Sequence, residues 1–198
     1  MRAAARETSP AEYGLSRAFG SLIVDLDPDK KLVILDFGVA TRSSIEFFSS
    51  YNCRLYVPDA ARRLPAVRRG DLPLDAKQFE VLLPELPKKE KLDAVLCWEL
   101  LNYLEPDAVE RLGSYLEPHL QFGTSLMTVQ SSRGTINRSP TVYHILGPSK
   151  VRRVIEDDRP VAARTYSQPD LFRMLPRFEV NRSYLLQNGM QEYLLSVT

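Results

Sequence analysis

The stretch LVILDFGVATR, Leu32 to Arg42, decides how the chain is read. Leu32 to Phe37 is apolar apart from Asp36, and it lies between Lys30-Lys31 and Gly38. A short, partly β-branched run bounded this way reads as a strand buried on both faces, as in a parallel sheet. Gly38 permits a tight turn. Thr41 to Ser50 then carries helical spacing, with Ile45, Phe47 and Phe48 expected to face the sheet. A second strand is expected at Cys53–Val57, closed by Pro58-Asp59, and a further one at Leu92–Trp98.

Outward from this unit the pattern repeats. Pro106 suits the first turn of a helix, where its missing N–H costs little. Val109, Leu112, Tyr115 and Leu116 give that helix an apolar face. Ser125–Val129 is the next strand. Ser167 to Asp170 resembles a capping box for a helix through Leu175, and Asn188-Gly189 between two β-rich runs signals a hairpin. An N-terminal helix is expected over about 10–26. Region 60–91 mixes Arg and Pro with helix signals at 60–69 and 75–83, and any strand there is short. Residues 131–165 have no clear period and read as an insertion. The expectation is an α/β fold in one domain, 1–198: a doubly wound, mostly parallel seven-stranded sheet ending in an antiparallel hairpin.

Composition bounds the function. The chain has 198 residues, 44% apolar and 26% charged, with a net charge of +1. That is ordinary for a soluble domain and lacks the basic excess of a dedicated nucleic-acid binder. Cys53 and Cys97 make neither a disulfide framework nor a metal cage, which fits a reducing cytoplasm. The start has no apolar run of secretory type, and no run approaches the roughly 20 residues that span a bilayer.

Three motifs carry chemistry. Asp36-Phe37-Gly38-Val39-Ala40-Thr41-Arg42 leaves a strand and opens a helix, at the sheet edge where open α/β folds bind ligands. Asp59, roughly twenty positions on, is placed to accept hydrogen bonds from ribose hydroxyls; the alternative is a helix cap. The third stretch, LDAVLCWELLNYL, brings Cys97, Trp98 and Glu99 to the same edge, with Tyr103 behind them. Trp98 offers a flat wall, Glu99 a carboxylate and Tyr103 a hydroxyl; the alternative is that Trp98 and Leu101 are core.

Together these motifs resemble the class I S-adenosylmethionine-dependent methyltransferases, which have a Rossmann-like fold. Asp36 and Gly38 match the opening of that family's first motif, Asp/Glu-x-Gly-x-Gly-x-Gly, and Asp59 matches its second acidic residue. Ala40 and Arg42 stand where the family has further glycines. The resemblance implies S-adenosylmethionine as cofactor, held by Asp36, Gly38, Val39, Ala40, Asp59, Cys97 and Trp98. It implies methyl transfer to a small-molecule acceptor, with Glu99 and Tyr103 as acceptor-side candidates; His144, on the site edge after the Ser125–Val129 strand, is a candidate base, the alternative being a solvated loop histidine, and no metal-ligand spacing is present. Seven basic residues in 131–165 (Arg133, Arg138, Lys150, Arg152, Arg153, Arg159, Arg164) against three acidic ones (Glu156, Asp157, Asp158) would suit an anionic acceptor; the alternative is an ordinary solvated insertion. His119, before a strand, is expected at the opposite edge. Two other readings remain open: a non-catalytic binding or scaffold relative, suggested by Ala40 and Arg42, and a nicotinamide-dependent oxidoreductase, against which the terminal hairpin argues.

Overall fold

Residues 11–198 are described by a computed structural model. The quoted stretch forms β2 (Leu32–Asp36), buried throughout, and α2 (Arg42–Ser49), capped by Thr41, whose side chain accepts from the Ser44 amide. β3 (Cys53–Tyr56), β4 (Ala94–Trp98) and β5 (Ser125–Ser131) follow. The hairpin consists of β10 (Phe178–Leu185) and β11 (Met190–Val197). The main sheet runs β10-β11-β5-β4-β2-β3, with β3, β2, β4 and β5 parallel and the hairpin antiparallel.

It therefore has six strands rather than the seven expected. Between β3 and β4 the chain forms α3 (Ala60–Val67) and α4 (Ala76–Glu80), and among the described residues its one β contact there is a bridge, Leu74 to Leu104. Pro73, Pro84 and Pro87 punctuate this region, and proline cannot donate to a ladder.

Side chains alternate across the buried strands, so the sheet has a core on each face. Val33, Leu35, Phe37, Val95, Cys97 and Leu126 pack toward α5 (Pro106–Leu116) and α6 (Gln168–Met174). Ile34, Leu96, Trp98, Met127 and Val129 pack toward α1 (Arg17–Asp25) and Phe48. Ile45, expected inward, is 51% exposed; only Phe48 of its group is fully buried. The N-terminal helix begins at Arg17, not near residue 10. Glu12–Leu15 is instead a strand, β1, and Ser16 caps the helix; Pro10 lies outside the described residues.

The supposedly patternless 131–165 segment supplies four short strands: β6 (Thr135–Asn137), β7 (Val142–Ile145), β8 (Lys150–Val154) and β9 (Pro160–Ala162). β1, β8 and β7 form a small antiparallel sheet, and β6 pairs with β9. The small sheet lies over the start of α2 and the carboxyl rim of the main sheet, with Ser44 Oγ donating to the Tyr143 carbonyl at 3.4 Å. No helix among the described residues is long and apolar enough to cross a membrane.

Candidate functional site

The parallel strands deliver Asp36, Gly38, Asp59, Trp98 and Glu99 to one rim. Asp36 is buried, and its Oδ1 accepts the Gly38 amide at 2.8 Å and the Trp98 indole N–H at 2.9 Å. Burial raises its pKa to about 6 despite both bonds. Trp98 has φ 48°, left-handed backbone that is rare for a bulky residue and marks local strain. β4 departs from regular pairing at this point, and the Trp98 carbonyl accepts from Thr128 Oγ1 at 3.0 Å. The turn lays the indole on Gly38. A Cβ at Gly38 would come within 2.9 Å of Trp98 Cδ1, Trp98 Nε1 and Asp36 Oδ1. The protein's own tryptophan thus requires the glycine.

Val39 is buried, and the exposed Ala40 donates its amide to Asp59 Oδ1 at 3.1 Å. Asp59 precedes α3 in left-handed backbone and does not cap it through its side chain; it lies 3.4 Å from Arg62. Arg42 points away from the crevice, its side chain 91% exposed and paired with Glu46.

Glu99 is buried, with Oε1 accepting the Tyr143 hydroxyl at 2.8 Å and Oε2 accepting the Thr141 amide at 3.2 Å. Burial pushes its carboxyl up, and these hydrogen bonds oppose the shift. The Tyr143 ring stacks on Trp98, centroids 4.4 Å apart and 16° from parallel. β7 is therefore fastened to the rim by a stack and a carboxylate. His144, next along β7, faces Ser43 Oγ at 3.4 Å, and partial burial with the Arg152 charge lowers its pKa. Tyr103 is fully buried, donates to the Asn137 carbonyl at 2.8 Å and carries the Arg68 guanidinium over its ring. Cys97 is turned into the core on the other face, where burial first and the Asp36 charge second push its thiol up. His119 lies at the opposite end of β4, its Nδ1–H donating to the Glu90 carbonyl while Leu92 pairs with its own backbone.

The structure therefore brings Asp36, Gly38, Trp98 and Glu99 together, and sets Cys97 and Tyr103 behind them. Sequence reasoning missed Tyr143 and Thr141. His144 drew attention as a titratable residue, but the alternation of a strand sends its neighbour Tyr143 inward.

Solved structures similar to this chain are methyltransferases. One is the CcbJ methyltransferase from Streptomyces caelestis, at TM-score 0.53 and 11% identity, covering 91% of this chain and 94% of that one. Another is an S-adenosylmethionine-dependent methyltransferase from Clostridium acetobutylicum, at TM-score 0.50 and 13% identity, covering 91% of each. A third is the 1,6-didemethyltoxoflavin-N1-methyltransferase of Burkholderia thailandensis, with bound 1,6-didemethyltoxoflavin and S-adenosylhomocysteine, at TM-score 0.50 and 16% identity, covering 92% and 79%. The chain has the class I methyltransferase fold. No family model and no curated protein matches the sequence itself.

In this methyltransferase fold the crevice beside Gly38 is filled by the chain's own residues. Val39, Ala61 and Pro65 face Ser139, Pro140 and Val142 across a remaining cavity of about 20 Å³. That gap has room for roughly one water molecule. The 139–145 segment, whose Tyr143 stacks on Trp98, bounds this gap, and Arg42 does not. A larger cavity of about 290 Å³ opens next to it, lined by Glu99, Ser131, Arg133, Tyr143, Arg153 and Glu192 among others.

Proposed function

We propose that the chain is a cytoplasmic S-adenosylmethionine-dependent methyltransferase for a small-molecule acceptor, described here in a closed form. The observation that carries this reading is the rim itself. Asp36, Gly38 and Asp59 occupy the carboxyl ends of adjacent parallel strands, and a metabolite-sized cavity abuts them at Glu99. When bound, S-adenosylmethionine would supply an already activated methyl group. In this reading segment 139–145 withdraws to admit it. Of the three acceptor-side candidates, Glu99 lines the cavity, Tyr103 is engaged by Asn137, and His144 faces Ser43.

A second reading, which the similar structures do not favour, is a methyltransferase-fold protein that binds a small molecule without methylating it. Calorimetric titration with S-adenosylhomocysteine separates the two. Under the first reading the wild type binds, Asp59→Ala loses binding, and Tyr143→Ala, which removes the stack, binds at least about tenfold tighter because less energy goes into opening. No heat from wild type or Tyr143→Ala at millimolar ligand overturns the first.

A further inference from the structure

The 290 Å³ cavity is lined by two buried carboxyl groups and by two guanidiniums, one partly buried and one exposed, with no ion pair between the two sets among the described residues. Its floor is the main sheet. There Glu192 on β11 is 2% exposed, and its Oε2 accepts the Ala18 amide at the start of α1 at 2.8 Å. Among the described residues no donor reaches its other oxygen. Glu99, also in the floor, has a hydrogen bond on each oxygen but no ion pair among the described residues. The roof is the small sheet. Among the described residues, Arg153 on β8 has its Nε buried without a partner, and its one ion pair is with Glu12 near the rim, at 3.5 Å. Gly14 on β1 makes room for this guanidinium, since a Cβ there would collide with it. Arg133 adds a second guanidinium to the lining.

A buried ionised group is costly unless it is paired. The other basic residues of the 131–165 segment are mostly spent on the surface. Arg138 pairs with Asp71 and Asp157, Arg159 with Asp157, and Arg164 with Glu105. Only Arg133 and Arg153 face the cavity. A purely anionic ligand would meet Glu192 and Glu99; a purely cationic one would leave Arg153 Nε unsatisfied. We infer that the cavity binds a small zwitterion of the amino-acid type, with its ammonium on Glu192 and its carboxylate on Arg153. The volume sits at the lower end of ligand pockets, about 300 Å³, which suits a single metabolite. If the protein is a methyltransferase, this ligand is its acceptor; the binding claim itself does not depend on methyl transfer.

The test screens the twenty proteinogenic L-amino acids singly by thermal shift, then measures the best by calorimetry beside its decarboxylated amine and its des-amino acid. The expected result is binding at or below about 1 mM, with both analogues at least tenfold weaker. Glu192→Gln, which keeps an acceptor for Ala18, should weaken the amino acid tenfold and leave the des-amino acid unaffected. Arg153→Gln should do the converse with the amine. The inference is overturned if none of the twenty binds at about 10 mM, if either analogue binds as well as its parent, or if both variants bind like wild type. Titration with S-adenosylhomocysteine is read separately, so failure of the methyltransferase reading leaves this result standing.

Discussion

Trp98 donates its indole N–H to Oδ1 of Asp36 at 2.9 Å, the same oxygen that accepts the Gly38 amide. The acidic residue that opens the first motif is thus satisfied from within, and the tryptophan sits where the glycine leaves space. Tyr143 stacks on the Trp98 face of this corner.

Gly38→Ala should destabilise the protein by about 1–3 kcal/mol, the usual cost of overpacking. The new Cβ would lie 2.9 Å from three atoms of a buried, hydrogen-bonded pair. Urea denaturation should show a lower midpoint with an unchanged slope; an unchanged midpoint would contradict the packing described.

Asp36 makes stability fall with rising pH. Its carboxyl titrates near 3.8 when unfolded and near 6 when folded. Between those values the folded state binds more protons, so stability declines from about pH 4 to about pH 6 and then levels, by about 3 kcal/mol. Glu99, also raised by burial, acts in the same direction. Asp36→Asn keeps the acceptor oxygen and removes the charge, so denaturation at pH 4.5 and pH 7 should show a smaller difference in the variant.

Glu99→Gln leaves one of its two strap contacts without an acceptor. A lost hydrogen bond to a buried charged group costs about 1–3 kcal/mol. Amide exchange at Thr141 should accelerate at least about tenfold by the same estimate, while exchange in β2 stays at the wild-type rate.

Ser167→Ala should cost about 1 kcal/mol through the loss of a helix cap. Ser167 accepts the Asp170 amide, and the Asp170 carboxylate returns the bond to the Ser167 amide. Thermal denaturation measures the effect.

Arg42→Ala should leave both the denaturation midpoint and the affinity for S-adenosylhomocysteine at wild-type values. The side chain is exposed, and its one ion pair is a surface pair within α2. A gain in affinity would show that this guanidinium obstructs the crevice after all.

Much of the fold was legible because its signals are local. The buried β2 run, the Pro106 helix start, the Ser167 capping box and the Asn188-Gly189 turn each rest on a few adjacent residues. β1 and β8 were not, because Glu12–Leu15 finds its partner at Lys150–Arg153, and alternation over four or five residues is lost among charges. For the same reason Tyr143 went unseen beside His144.

By itself, the sequence determined the α/β layering and the gathering of Asp36, Gly38, Asp59, Trp98 and Glu99 at the carboxyl rim, since strand periodicity and turn chemistry dictate both. Only the tertiary structure decided that Gly38 accommodates an indole, that the 139–145 segment fills the adjacent crevice, and that Glu192 and Arg153 face a common cavity. Those outcomes depend on where a small second sheet lands on the first. That placement arises from packing between residues about a hundred positions apart, which no local pattern encodes.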